Sequence, residues 1–95
     1  MSKAIGLINT SCGGDRALNE QMIRDLAHRH GYELAGLLTI TENTYMPTTQ
    51  IVHTAVTNDA AAILAPLLEH FGVALRAIAG VRTVVAADGT LTRAR

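Results

Sequence analysis

The chain has 95 residues, with eight Lys and Arg balancing eight Asp and Glu, four histidines and a single cysteine. Apolar residues make up 48% and charged ones 17%, which fits one small globular domain over residues 1–95 and excludes a disordered chain. Zero net charge leaves no global electrostatic footprint for nucleic acid and no polybasic membrane signal, and one Cys excludes an internal disulfide.

The first residues lack the charged start, apolar core and cleavage site of a signal peptide, and no apolar run approaches the roughly 20 residues that span a bilayer. The expected compartment is a reducing cytoplasm. Residues 3–31 organise the rest: an apolar run, Ala4-Ile5-Gly6-Leu7-Ile8, a polar turn from Asn9 to Asp15, and a helical pattern. The run suits a strand buried on both faces, and ligands of open α/β sheets favour the edge where such a strand ends. Ser11 and Cys12 lie in that turn.

Over residues 16–30, Leu18, Met22, Ile23, Leu26 and Ala27 recur at three- and four-residue spacing, which predicts an amphipathic helix. Asp15 is its expected N-cap and Gly31 its expected terminator, after the basic run His28, Arg29 and His30. Residues 32–41 predict a second strand, parallel to the first through a right-handed crossover. In the loop of residues 42–49, Met46 is expected to be extended because Pro47 follows it. Residues 49–57 predict a short helix from the stripe Ile51, Val52, Ala55 and Val56, although β-branched residues oppose it.

Asn58-Asp59 then breaks the chain before a third strand over residues 60–65. Pro66 is expected in the first turn of a helix carrying Leu68, Phe71, Leu75 and Ile78, with Gly72 able to split it. Residues 81–86 predict a fourth strand. Asp88-Gly89 is a hairpin turn that could return residues 90–93 as an antiparallel edge strand.

With Ser11 at the end of the first strand, the chain resembles the catalytic domain of serine recombinases of the resolvase and invertase type. Gly6-Leu7-Ile8-Asn9-Thr10-Ser11-Cys12 resembles that family's opening Gly-Tyr-x-Arg-Val-Ser-Thr, and Leu68-Glu69-His70-Phe71-Gly72-Val73 its Leu-Asp-Arg-Leu-x-Arg. Gln21 and His30-Gly31-Tyr32-Glu33-Leu34 match the helix and its exit. The resemblance implies a three-layer α/β sandwich with a mainly parallel sheet in the order 2-1-3-4, plus the possible fifth strand. It implies Ser11 as the residue that would attack a DNA phosphodiester.

It also implies a degenerate site at Asn9, Glu69, His70 and Val73. The family's phosphate-binding arginines correspond to Asn9, His70 and Val73, which cannot replace a planar, fixed cation. One lost electrostatic donor commonly costs a hundred- to thousand-fold in rate, so strand exchange is not expected. The family's long oligomerisation helix and helix-turn-helix DNA-binding domain come after this core, and neither precedes Arg95. The expectation is an interaction module or remnant; the alternative is a DNA-acting phosphoryl-transfer enzyme using Ser11.

Each candidate also has a plainer role. A Ser in a strand-to-helix turn more often caps or bonds its own turn, and a Cys such as Cys12 is more often inert than activated by a helix N-terminus. Ser11, Cys12, Gly13 and Gly14 could cradle an anion with backbone amides, for which the Asp15 carboxylate would compete. His28, His30, His53 and His70 include no i, i+4 pair, and no Gly-x-Ser-x-Gly elbow exists, so neither a metal, another cofactor nor a Ser-His-Asp triad is expected.

The expected partner is a second copy of the chain, with a protein partner possible and DNA binding not expected without a separate DNA-binding domain. The second strand lies at the sheet edge in the proposed order, its apolar residues invite pairing, and low charge removes repulsion. The internal alternative is the loop of residues 42–49 folding over that edge through Tyr45 and Met46.

Overall fold

The computed structural model describes residues 2–91. The elements in chain order are β1 (Ser2–Asn9), α1 (Arg16–His30), β2 (Tyr32–Ile40), α2 (Pro47–Thr57), β3 (Ala60–Ala65), α3 (Leu75–Ala79), β4 (Thr83–Ala86) and β5 (Gly89–Leu91), with 3-10 turns at Thr10–Cys12 and Leu68–Ala74. The sheet runs β2-β1-β3-β4-β5; every pairing is parallel except β4 with β5. This is the expected α/β sandwich, with the possible fifth strand present. Thr92 and Arg93, included in the expected strand, lie outside the described residues. No described helix is long and apolar enough to cross a membrane.

Alternation along β1 divides the core in two. Ala4 and Ile8 face α1 and join Ile23, Leu26, Leu64 and Val85. Ile5 and Leu7 face the other side and join Ile51, Ala55, Phe71, Ile78 and Val84. Both sets are essentially closed to solvent, so β1 is a continuous apolar run because both of its faces are inside.

At Gly6 the side chains of α1 and β2 pack directly against the strand backbone. A Cβ there would lie 2.8 Å from Ile23 Cγ2 and closer still to Leu37 Cδ2, so glycine is required for space. The pairing of β2 with β1 carries a bulge: Ala4 pairs with Leu34 but Ile5 with Gly36, leaving Ala35 extra. The phase shift lets Leu34 and Leu37, three residues apart, both pack on the α1 side while Leu38 packs on the other.

Helix α1 has the expected ends. Asp15 accepts hydrogen bonds from the Ala17 and Leu18 amides, and Gly31, at φ 74°, donates to the Ala27 and His28 carbonyls. Leu18, however, is 65% exposed rather than part of the buried stripe. At 3.6 residues per turn it stands about 140° around the helix from Ile23, and half-buried Asn19 takes the core-side position, donating to the Gly13 carbonyl at 3.4 Å.

Four further expectations are corrected. Met46 is left-handed (φ 49°, ψ 61°) rather than extended: it is the N-cap of α2, its carbonyl accepting from the Gln50 N–H at 3.1 Å, and the Gln50 side chain reaches back past it to donate from Nε2 to the Tyr45 carbonyl. Helix α2 therefore starts at Pro47, ahead of the expected residue 49. Pro66 opens no α-helix: its carbonyl accepts from the Ala87 N–H, and Leu68–Ala74 is a 3-10 turn broken at Gly72 (φ 56°, ψ −138°) before the short α3. Strand β4 starts at Thr83 rather than residue 81, since the Val81 and Arg82 amides close a turn on the Ile78 carbonyl.

The fit at Gly6 yields a stability prediction. Gly6→Ala should lower the urea midpoint, at unchanged m-value, by an amount equivalent to about 1–3 kcal/mol of overpacking; an unchanged midpoint would show that α1 can move away freely.

Candidate functional site

All four parallel strands end on one edge of the sheet, so the loops after β1, β2, β3 and β4 meet there. Asn9, the last residue of the central strand, ties them together. Its backbone N–H donates to Nδ1 of His70 at 2.9 Å, and its Nδ2 donates to the His70 carbonyl at 3.2 Å. Its Oδ1 accepts from the Ser11 N–H at 3.0 Å and from the Ser11 hydroxyl, in a short contact. Asn9 thus fixes both the turn that carries Ser11 and its attachment to the segment after β3.

Two side chains complete the attachment. The Thr10 hydroxyl donates to the Ile40 carbonyl at 3.3 Å, fastening the turn to the end of β2, and the Cys12 thiol donates to the Glu69 carbonyl at 3.5 Å. Burial raises the pKa of the Cys12 thiol, and the Glu69 carboxylate adds to the rise. Cys12 is therefore a thiol at neutral pH, and the helix N-terminus does not activate it.

Two backbone amides of this loop, and two at the start of α1, are already bonded within the protein. The Ser11 N–H is held by Asn9, the Gly13 N–H donates to the Thr10 carbonyl at 3.1 Å, and the Asp15 carboxylate occupies the first amides of α1 at 2.7 and 3.3 Å. Gly13 and Gly14 hold φ of 75° and 88°, which allows the chain to reverse into α1.

His70 is buried, 3% exposed, in the 3-10 turn after β3, beside exposed Glu69. Burial lowers its pKa and the Glu69 carboxylate partly opposes that. A bond received at Nδ1 assigns the neutral Nε2–H tautomer. Val73 is fully exposed and apolar. The other histidines are scattered, His28 and His30 at the exposed end of α1 and His53 on the outside of α2. Among the described residues, no three His, Cys, Asp or Glu side chains converge as metal ligands.

Ser11 opens onto a shallow groove of about 400 Å³ whose other walls are Thr10, Thr41, Glu42 and Asn43. The last three were not singled out from the sequence; the register accounts for them, since Asn9 pairs with Ile40 and the residues just after Ile40 face those just after Asn9. Arg16 lines a smaller hollow on the α1 side with Gly13, Gly14 and Asn19; it donates to the Thr39 hydroxyl at 3.0 Å and sits 3.7 Å from the Glu20 carboxylate.

Comparison of the sequence with protein-family models and with curated proteins finds no match. Comparison of the structure finds the N-terminal catalytic domain of TP901-1 integrase, with a TM-score of 0.66 over 92% of this chain and 78% of that one. The chain has the fold of a serine-recombinase catalytic domain. At 13% identity the likeness is one of architecture: the recombinase fold accounts for the sheet order and helix placement, while the chemistry has to be argued from the residues present.

Within this recombinase fold the Asn9 network gives two checks. Asn9→Ala should destabilise the chain by about 1–3 kcal/mol, since it leaves the partly buried His70 carbonyl without its Nδ2 donor and the Ser11 turn without its acceptor; equal thermal midpoints for the two proteins would contradict the network. Cys12 should react with a disulfide reagent at pH 7.5 more slowly than free cysteine does, and a faster reaction would contradict its raised pKa.

Proposed function

We propose that this chain is a recombinase-fold domain that works as an interaction module and does not exchange DNA strands. The observation that carries this reading is the charge of the loops around Ser11. Residues 10–15, 41–46, 66–74 and 87–88 contain no Lys or Arg, and each contributes one exposed carboxylate: Asp15, Glu42, Glu69 and Asp88. A DNA phosphate at Ser11 would meet this field with no fixed cation in those loops to offset it, and Arg16, the first residue of α1, is turned to the Thr39 hydroxyl and the Glu20 carboxylate. Of the positions that the family resemblance gives to arginine, Asn9 is bonded inside the fold, His70 is neutral and buried, and Val73 has no polar group.

The test is binding of a labelled duplex, monitored by fluorescence anisotropy. Non-specific DNA-binding proteins reach Kd values of about 10⁻⁴–10⁻⁶ M at physiological salt, with steep salt dependence; this chain should show neither. Such binding with a steep salt slope would overturn the reading.

Ser11 itself is exposed on an open groove, which supports one second reading, phosphoryl transfer from Ser11 with cations supplied by a partner. A protein-DNA adduct trapped under denaturing conditions, and lost in Ser11→Ala, would establish it. No adduct is expected.

The partner we propose is a second copy of this chain, paired through β2. That strand is an edge, and Tyr45 and Met46 do not bury themselves over it, being 80% and 52% exposed. Past the bulge, residues 36–40 alternate regularly, so an antiparallel pair centred on Leu38 matches Leu37 with Thr39 and Gly36 with Ile40, face to face. Neither segment contains a charge or a proline to oppose it. Light scattering coupled to size exclusion should give a dimer mass that falls to monomer in Leu38→Lys; a monomer for the parent chain at micromolar concentration ends the proposal.

A further inference from the structure

His70 holds the turn that carries Ser11 through a bond that only its unprotonated Nδ1 can accept. The donor is the backbone N–H of Asn9, 2.9 Å away, and the ring is buried, so water cannot readily take over either role. Proton gain at Nδ1 would set two N–H groups against each other at that distance. The contact would change from attraction to repulsion, and one segment would have to move.

The remaining bonds define which part moves. Asn9 is the residue on which Ser11 rests, through both the Ser11 N–H and its hydroxyl, and the same Asn9 reaches the His70 carbonyl. The Cys12 thiol on the Glu69 carbonyl is a further tie between the Ser11 turn and the segment after β3. Gly72, outside the helical region at φ 56°, gives that segment a break two residues beyond His70.

We propose that His70 is a proton-operated latch on the Ser11 turn: the neutral ring fastens Asn9, and protonation at Nδ1 frees Asn9 and, with it, Ser11. The device works whether or not Ser11 performs chemistry, so it stands apart from the functional reading above.

The surroundings set the pH at which it acts. Glu69, adjacent on the same turn, favours the charged ring, while burial disfavours it more strongly. Cys12 faces the turn as a neutral thiol, and the Asp88 carboxylate is engaged at 2.9 Å with the Leu68 N–H. Strand β3 offers no titratable group, the Lys3 of β1 is at the far end of the sheet, and Arg76 of α3 is exposed. Because the folded value is depressed below the ordinary 6.5, the unfolded chain binds the proton first. Stability is then complete above about pH 6.5 and declines as pH falls through that value toward the folded pKa.

The experiment is an NMR titration of the intact chain from pH 8 downward. At high pH the His70 ring nitrogens should show the Nε2–H tautomer. The Asn9 and Ser11 amide resonances should then shift together with a midpoint below pH 6.5, equal to that of the His70 ring. In His70→Asn, whose Oδ1 can accept the same bond but does not titrate, that shared transition should vanish while the Asn9 amide keeps its high-pH position. An Nδ1–H tautomer at high pH, or Asn9 and Ser11 amides that stay flat while the ring titrates, would overturn the latch. So would a ring that stays neutral until the whole chain unfolds, since nothing would then operate it. If His70→Asn does not fold, the wild-type tautomer and titration decide alone.

Discussion

The burial of β1 on both faces governs this molecule. Each Ile or Leu side chain taken fully out of water is worth about 1.5–3 kcal/mol, and β1 places Ile5, Leu7 and Ile8 in the interior with Ala4 and Gly6 alongside them. Strands β2 and β3 must pair on either side of it, and a helix layer must cover each face. One consequence is steric, the missing Cβ at Gly6. The other is functional: the residue on which β1 ends emerges at the centre of the carboxyl edge, where every loop can reach it. Asn9 occupies that place, and its bonds to both His70 and Ser11 depend on it.

The elements that local chemistry decides were legible in the sequence. Asp15 and Gly31 bound α1 because a short carboxylate can accept the first amides and only a residue without Cβ is comfortable at φ 74°. The sheet order came from alternating elements and crossover handedness, together with the family resemblance. Leu18 was misplaced because spacing of three or four residues tolerates a wide arc, whereas the core accepts only the arc around Ile23. Met46 departs from the usual preference before proline at a turn where the Gln50 side chain reaches back to the Tyr45 carbonyl, a contact that the Met-Pro pair itself does not signal.

The candidate site was legible only in part. Ser11, Cys12, Gly13 and Gly14 announce a strand-to-helix turn, but the contact between Asn9 and His70 spans 61 residues and has no local signature. Nor does a sequence show that Glu42 and Asn43 form the opposite wall of the groove. Parallel register supplies that information: once Asn9 is level with Ile40, the two succeeding loops are neighbours. The acidic character of this edge was hidden for the same reason. Eight positive and eight negative charges cancel along the chain, yet the topology collects Asp15, Glu42, Glu69 and Asp88 at one edge.

Asn9 and His70 are best understood as a pair. An arginine at position 70 has donors only, so it could not accept the Asn9 N–H that His70 now receives. The buried setting that keeps the imidazole neutral would also tax a guanidinium, whose charge cannot be shed. Conversely, an arginine at position 9 would lose the carbonyl oxygen on which the Ser11 N–H and hydroxyl both depend. Either exchange alone removes a bond that anchors the turn. The two residues therefore form a neutral arrangement directed at the protein itself, and this explains why the turn that carries Ser11 is well anchored.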